Sequence, residues 1–234
     1  MKLEILKALN EARRERRAAI VVTDTVSGEE RLVDGGAVQK DPLAAELGKR
    51  LLSARSAMLE DGRTFLTVHV PPPRLIVIGA VHISQALAPM ARLAGFDVTI
   101  VDPRTAFATA ERFPDVELLA EWPEEVLKAR PLDAFTGRAA LTHDPKIDDV
   151  PILAALKAHS FYVGALGSRK THAKRVERLL AAGASAAQIE RIHAPIGVDI
   201  GASSPAEIAV AVLAQVIGAL RSRGNARAKK EAAA

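Results

Sequence analysis

Four short stretches hold the residues whose types suit anion binding. They are Gly79-Ala80-Val81-His82-Ile83-Ser84, Asp102-Pro103-Arg104, Thr142-His143-Asp144 and Gly167-Ser168-Arg169-Lys170. Gly79 permits a backbone turn that other residues resist. His82 offers a hydrogen-bond donor to a phosphate; a solvent-facing or capping histidine is the other reading. Asp102 suits a ribose hydroxyl, or else is a turn aspartate satisfied ahead of Pro103. Arg104 suits a bidentate grip on phosphate, or else is a surface arginine. His143-Asp144 has the makings of an acid/base pair. One dipeptide is a weak signal, and no clear ligand cluster for a metal accompanies it. Ser168, Arg169 and Lys170 bring hydroxyl, guanidinium and ammonium to what reads as a helix N-terminus, where the dipole also favours an anion. A capping serine with solvated bases is the alternative there.

Each stretch follows an apolar run that reads as a strand. Leu75–Ile78 leads into Gly79, a helix-like segment covers Ile83–Leu93, and a second run, Val98–Val101, ends in Asp102. Strand, tight turn, helix, strand, acidic residue is the plan of half a Rossmann unit, and Gly79 to Asp102 has the roughly 20-residue spacing of that plan. The glycine fingerprint asks for Gly at positions 81 and 84, where this chain has Val81 and Ser84. A branched side chain at 81 obstructs the approach of a pyrophosphate, which weighs against NAD(P) in its standard pose; Ser84 is a milder change. Further strands are expected at 116–119, 139–142 and 161–166, with helices over 123–129, 149–159, 171–182 and 185–192. A loop spans 193–203. Ser204-Pro205-Ala206-Glu207 reads as a capping box opening a buried helix to Leu220. The alternation predicts an α/β fold with a Rossmann-like doubly wound parallel sheet. Its carboxyl edge carries all four stretches.

The first 70 residues read as a small α/β domain. A helix covers 2–17, a hairpin joins Ala19–Thr23 to Glu30–Val33, Asp41 caps a helix to Ala57, and Phe65–Val70 is a strand. Pro71-Pro72-Pro73 then favours a stiff extended linker. The expected organisation is an N-terminal domain over 1–70, a linker at 71–73, the Rossmann-like domain over 74–221, and a disordered tail over 222–234.

Composition narrows the function. The 234 residues are 49% hydrophobic and 26% charged, as in an ordinary globular protein, but only 3% aromatic. Few stacking platforms are left for bases, which argues against nucleic-acid binding. The net charge of +4 gathers near Arg13–Arg17 and Arg221–Lys230, read as solvated faces. With no cysteine, disulfides, thiolate metal sites and a protein-borne sulfur carrier are excluded. Residues 1–17 lack the apolar region of a signal peptide, and no apolar run approaches the roughly 20 residues of a membrane span. The expectation is a cytoplasmic protein with no membrane span.

Taken together, VIGAVHISQALAPMARLAGFDVTIVDPR, ERFPD, LTHDPKIDD, FYVGALGSRK and IHAPIGVDIGASSPAEIAVAVLAQVI resemble the XdhC/CoxI family, accessory factors of molybdenum hydroxylases such as xanthine dehydrogenase and carbon monoxide dehydrogenase. The resemblance runs from about Leu75 to Leu220. It implies a carboxy-terminal Rossmann domain and a non-catalytic chaperone that binds the molybdenum cofactor (molybdopterin, or its nucleotide form). Such a chaperone assists sulfuration with a cysteine desulfurase and delivers the cofactor to the apo molybdenum hydroxylase; a homodimer is left open. The implied cofactor-binding set is Gly79, Val81, His82, Ser84, Asp102, Arg104, His143, Asp144, Gly167, Ser168, Arg169 and Lys170, with no catalytic residue and no metal ligand. The family turn is closer to Gly-Ala-Gly-His-Val-Gly, so the histidine is kept here and two glycines are lost. The family's Cys-Gly-Gly segment has no cysteine counterpart in this chain. Two other readings are an NAD(P)-dependent oxidoreductase and an assembly adaptor without a ligand. No Tyr-x-x-x-Lys relay supports the first: the sole tyrosine is Tyr162.

Overall fold

A computed structural model describes residues 1–231, with side chains to Arg223. Met1–Pro71 and Pro72–Leu220 fall in two compact units.

The first unit runs α1 (Leu3–Arg14), β1 (Ala19–Asp24), β2 (Glu30–Asp34), a 3-10 turn (Gly35–Lys40), α2 (Ala44–Ser53), β3 (Ala57–Met58) and β4 (Thr64–His69). The strands form one antiparallel sheet in the order β2-β1-β4-β3. Ile20, Val22, Val33 and Leu66 meet Leu47 of α2 in one core cluster. Leu9 and Ala12 of α1 meet Ala19 in another. Helix α2 starts later than the Asp41-Pro42 signal predicts. The Asp41 carboxylate accepts from the Leu43 N–H at 2.9 Å and pairs with Arg31, so it fixes the turn before the helix rather than the helix itself. Asp34 does the same for the 3-10 turn, accepting from Gly36 N–H at 2.9 Å.

The second unit runs β5 (Arg74–Ile78), α3 (His82–Leu93), β6 (Asp97–Val101), β7 (Glu117–Leu119), α4 (Pro123–Ala129), β8 (Thr136–Ala140), α5 (Pro145–Lys157), β9 (Tyr162–Ala165), α6 (Arg169–Ala181), α7 (Ala186–Ile189), β10 (Ile192–His193) and, as far as Leu220, α8 (Pro205–Glu231). All six strands are parallel, in the order β10-β9-β8-β5-β6-β7. The direction of winding reverses between β5 and β8, the point where doubly wound sheets open a crevice at their carboxyl ends. The α/β, Rossmann-like parallel sheet and the small amino-terminal sheet are both present. Leu75, Val77, Val98, Ile100 and Ala139 form the sheet side of the main core, closed by Leu87 of α3 and by Ala209, Val212 and Val216 of α8.

Two elements depart from the sequence reading. Ile192–His193 pairs with β9 as a sixth strand where only the end of a helix and the start of a loop are expected. Two residues are too short to show a period. Helix α5 begins at Pro145, four residues ahead of the expected start, because Asp144 rather than Asp149 opens it. The Ser204–Glu207 capping box is formed: Glu207 N–H donates to Ser204 Oγ at 3.2 Å and Ser204 N–H to Glu207 Oε2 at 3.1 Å.

No span-length apolar run is expected from the sequence, yet residues 205–223 of α8 are long and apolar enough to cross a membrane. Their inner face belongs to the core just described. Gln215 also faces inward, accepting from Tyr162 Oη at 2.8 Å and from Gly197 N–H at 2.9 Å. Of the tail expected to be disordered, the helix continues to Glu231, and 232–234 lie outside the described residues.

Candidate functional site

The Gly79 turn is built by close approach. Gly79 has φ +114°, and a Cβ on it would lie 2.9 Å from Thr142 Cγ2 and 3.4 Å from the Leu141 carbonyl carbon. The β5 and β8 ends therefore meet at a point that only glycine fits without strain. Val81 is the residue before α3, with ordinary extended backbone (φ −102°, ψ 173°). It is half-buried and packs against the main core, so no glycine conformation is needed there. Ser84 is fully buried and donates from Oγ to the Gly79 carbonyl at 2.5 Å. The position of the third fingerprint glycine thus carries a tie between α3 and the turn. His82 is exposed at the first residue of α3.

Asp102 is fully buried and accepts four hydrogen bonds. Ala80 N–H donates at 2.8 Å, Arg104 N–H at 3.0 Å, Arg104 Nε at 2.9 Å and Arg104 Nη2 at 2.7 Å. Burial alone would raise this carboxyl's pKa, but the Arg104 guanidinium and the two backbone N–H groups outweigh it and hold the pKa below the usual range. Arg104 stacks over Phe107 at 4.6 Å. The sequence offers Asp102 and Arg104 as two ligand-facing groups, and the structure pairs them with each other.

Arg112 lies outside the expected set and ties the neighbouring loop to the turn. Its Nη1 donates to Ala80 O at 3.0 Å and Phe107 O at 2.7 Å, and its Nη2 to Gln85 Oε1 at 3.2 Å. The signal for it was the ERFPD string, in which arginine is the group able to bridge several carbonyls.

Past β8, Thr142 Oγ1 donates to Asp148 Oδ1 at 2.8 Å and accepts from Asp144 N–H at 3.0 Å. Asp144 caps α5, accepting from Lys146 N–H at 2.9 Å. The His143-Asp144 dipeptide therefore forms no acid/base pair here: the carboxylate serves the helix. His143 is exposed, in the left-handed region at φ +63°, and its Nδ1 lies 3.7 Å from where a Cβ on Gly167 would sit. Ser168 caps α6 through Thr171 N–H at 3.2 Å, and Arg169 and Lys170 are exposed in the first turn.

The stretches after β8 and β9 lead into a cleft of about 310 Å³ between α5 and α6. Asp148 and Asp149 of α5 line it from one side. Thr171, Lys174, Arg175 and Arg178 of α6, at i, i+3, i+4 and i+7, line it from the other, with Lys170 and His143 at its lip. Arg178 is paired across the cleft with Asp149, Nε to Oδ2 at 2.5 Å and Nη2 to Oδ1 at 3.2 Å. Arg175 and Asp148 are 2% and 1% exposed. Arg175 donates from Nη2 to Leu166 O at 2.9 Å, but its Nε and Nη1, and Asp148 Oδ2, have no hydrogen-bond partner. Burial pushes Asp148 up to about 6 against the pull of Thr142 and Arg175. Burial, then Arg175, lowers the pKa of His143 and of His172, so near neutral pH the cleft's positive charge comes from lysine and arginine. Gly79, Asp102 and Arg104 gather at the β5/β6 ends, and His143, Gly167 and Lys170 at the β8/β9 ends. Asp148, Lys174 and Arg175 complete the second group and were not anticipated.

Asp148 gives a pH signature. Its folded value of about 6 exceeds the ordinary 3.8, so the folded state holds this proton more tightly than the unfolded chain. Stability is then lost as pH rises from about 4 to above 6, by up to about 3 kcal/mol at ~1.36 kcal/mol per unit. Asp148→Asn keeps an acceptor for Thr142 and removes this slope. Urea unfolding of both proteins at pH 4 and 7.5 should show the variant gaining on the wild type at the higher pH. A difference independent of pH would rule out a buried, titrating Asp148.

Comparison with known proteins places this geometry in a family. Residues 75–216 match the family model described as the XdhC Rossmann domain. The chain is 34% identical over 148 residues to a protein of Bacillus subtilis (strain 168) named as a probable xanthine dehydrogenase subunit, covering 63% of this chain and 43% of that protein. It is 33% identical over 147 residues to the molybdenum cofactor insertion chaperone PaoD of Escherichia coli (strain K12), covering 62% and 40%. It is 34% identical over 158 residues to the uncharacterized protein YqeB of the same organism, covering 65% and 28%. The chain thus spans less than half the length of each of these relatives. A crystal structure described as a xanthine dehydrogenase from Bacillus halodurans superposes with a TM-score of 0.64 at 22% identity, over 94% of this chain and 65% of that one; this likeness speaks to the fold. The domain match runs from β5 into α8 and covers all four stretches at the carboxyl edge of the parallel sheet, and on it the chain belongs to the XdhC family.

Proposed function

We propose that this protein is an accessory factor in molybdenum cofactor maturation: it binds the cofactor along the carboxyl edge of β5, β8 and β9 and passes it to an apo molybdenum hydroxylase. The observation that carries this reading is the basic α5/α6 cleft, where buried Arg175 keeps two nitrogens without a partner. An anionic, phosphate-bearing cargo suits that donor set. The names of the Bacillus subtilis and PaoD relatives support the biological setting. The cofactor's molybdenum chemistry belongs to the hydroxylase; the role of this chain is to hold and orient the cargo. With no cysteine in the chain, sulfur carried on a thiolate during sulfuration comes from a partner such as a cysteine desulfurase.

The alternative of an NAD(P)-dependent oxidoreductase is disfavoured by Asp102, whose acceptor positions are already filled by Ala80 and Arg104. The test is a titration of the protein with molybdenum cofactor and with NAD and NADP, beside a pull-down with apo-hydroxylase. The expected result is saturable cofactor binding, capture of the hydroxylase, and no tight dinucleotide binding. Tight NAD or NADP binding that Val81→Gly strengthens further would favour the oxidoreductase. Capture of the hydroxylase with no cofactor binding would favour an adaptor without a ligand.

A further inference from the structure

We infer that the α5/α6 cleft is a phosphate-monoester site, and that Arg175 and Asp148 together select a phosphate that carries a proton. This rests on the anionic-cargo reading above and names the part of the cargo that enters the cleft. Arg175 is anchored by its bond to Leu166 O, and its Nε and Nη1 are buried without a hydrogen-bond partner. Asp148 is anchored by Thr142, which leaves Oδ2. The two side chains line the same cleft and form no ion pair with each other, although each affects the other's titration. Buried donors and a buried acceptor left without partners on the walls of one cleft are costly unless a guest meets both.

A phosphate monoester meets both. Its oxygens accept from Arg175, with Lys170 and Lys174 supplying charge from the exposed lip. Its second proton leaves near pH 6, in the same range as Asp148, so at pH 6 the bound pair holds one proton between carboxyl and phosphate. Whichever oxygen carries it donates to the other. A sulfate has no proton to share at neutral pH, and meets the ionised Asp148 as a like charge. Asp148 shares the cleft with Asp149 on its own helix, Arg175 and Arg178 on α6 and His143 in the β8 loop, and its charge also acts on Arg104 past β6; Arg178 is committed to Asp149.

The experiment is an NMR titration of the isotopically labelled full chain with inorganic phosphate, glycerol 3-phosphate and sulfate at matched ionic strength and pH 6. Saturable amide shifts are expected at His143, Thr171, Lys174 and Arg175, for phosphate and for the monoester. Sulfate should bind about tenfold more weakly or worse, the size expected for losing one charge-assisted hydrogen bond. Lys170→Ala/Lys174→Ala, both at exposed positions, should weaken phosphate by a similar factor. Asp148→Asn should bring phosphate and sulfate within about twofold of each other. Shifts centred on Ala80–Ser84 instead, equal binding of sulfate and phosphate by the wild type, or binding of phosphate but not the monoester would overturn the inference. Repeating the cofactor titration on the same variants separates the two readings. Cofactor binding untouched by the cleft variants sinks only this site. Phosphate in the cleft with no cofactor binding at all sinks the function instead.

Discussion

Gly79→Val is expected to cost about 2–6 kcal/mol of folding stability, combining roughly 1–3 for a side chain in the left-handed region with about 1–3 for overpacking. Both parts are visible at this residue. The φ of +114° is one that branched side chains avoid, and the new Cβ meets Thr142 Cγ2 at 2.9 Å with the Leu141–Thr142 backbone just behind it at 3.4 Å. The backbone cannot move aside, because Gly79 N–H bonds to Val101 O at 2.8 Å and Leu141 N–H to Ile78 O at 2.8 Å. A loss of this size is a large fraction of the stability of an ordinary domain. Gly79→Ala separates the two causes. Combined with Thr142→Ser, which removes the offending methyl and keeps the hydroxyl bonded to Asp148, it should recover the steric part and leave the backbone strain. Equilibrium urea unfolding of the single and double variants measures this. A Gly79→Ala protein within about 0.5 kcal/mol of wild type, the range of an unremarkable surface change, would show that the turn is not constrained.

The same turn shows what the sequence could and could not disclose. The strand-glycine-helix plan was legible because β5 and β6 are continuous apolar runs and α3 has a helical stripe. That the four site stretches lie at one sheet edge followed from the alternation of strands and helices; their order along it did not. What Val81 and Ser84 do was less legible. Read against a dinucleotide fingerprint they are losses. In the structure Ser84 is a buried donor to the Gly79 carbonyl and Val81 is partly core, so the turn is complete without the two glycines. The α5/α6 cleft was missed for a different reason. With α5 placed from Asp149, Asp148 falls outside the helix, and the i, i+3, i+4 set of Pro145, Asp148 and Asp149 cannot be seen. Asp144-Pro145, a capping residue followed by proline, was the signal that would have corrected the register. Helix α6 is basic along its sequence, and only tertiary packing distinguishes buried Arg175 from its solvated neighbours.

Asp102→Ala is the second large effect, expected at about 3 kcal/mol, the lower end of the 3–5 found when a buried ion pair loses one partner. The lower end applies because Arg104 is 34% exposed and can be rehydrated, whereas the Ala80 N–H that loses its acceptor cannot easily turn away from the β5 end. Arg104→Ala should cost a comparable amount: Asp102 keeps both backbone donors but is left fully buried without its counter-charge. The two together should fall short of the sum of the singles, and a double-mutant cycle reads that coupling directly. Acid adds an independent check. Asp102 titrates below its ordinary 3.8, so its contribution is fully present above that value and lost as pH falls through the lower folded pKa. Wild type and Asp102→Ala should therefore converge in strong acid; a gap that persists there would assign the effect to packing instead. The pairing also bears on ligands. A carboxylate has about four lone-pair positions, and Asp102 receives four donors. A ribose hydroxyl can dock on Asp102 only by displacing Arg104 from its stack on Phe107, whereas Arg175 at the α5/α6 cleft has two nitrogens that already lack a partner.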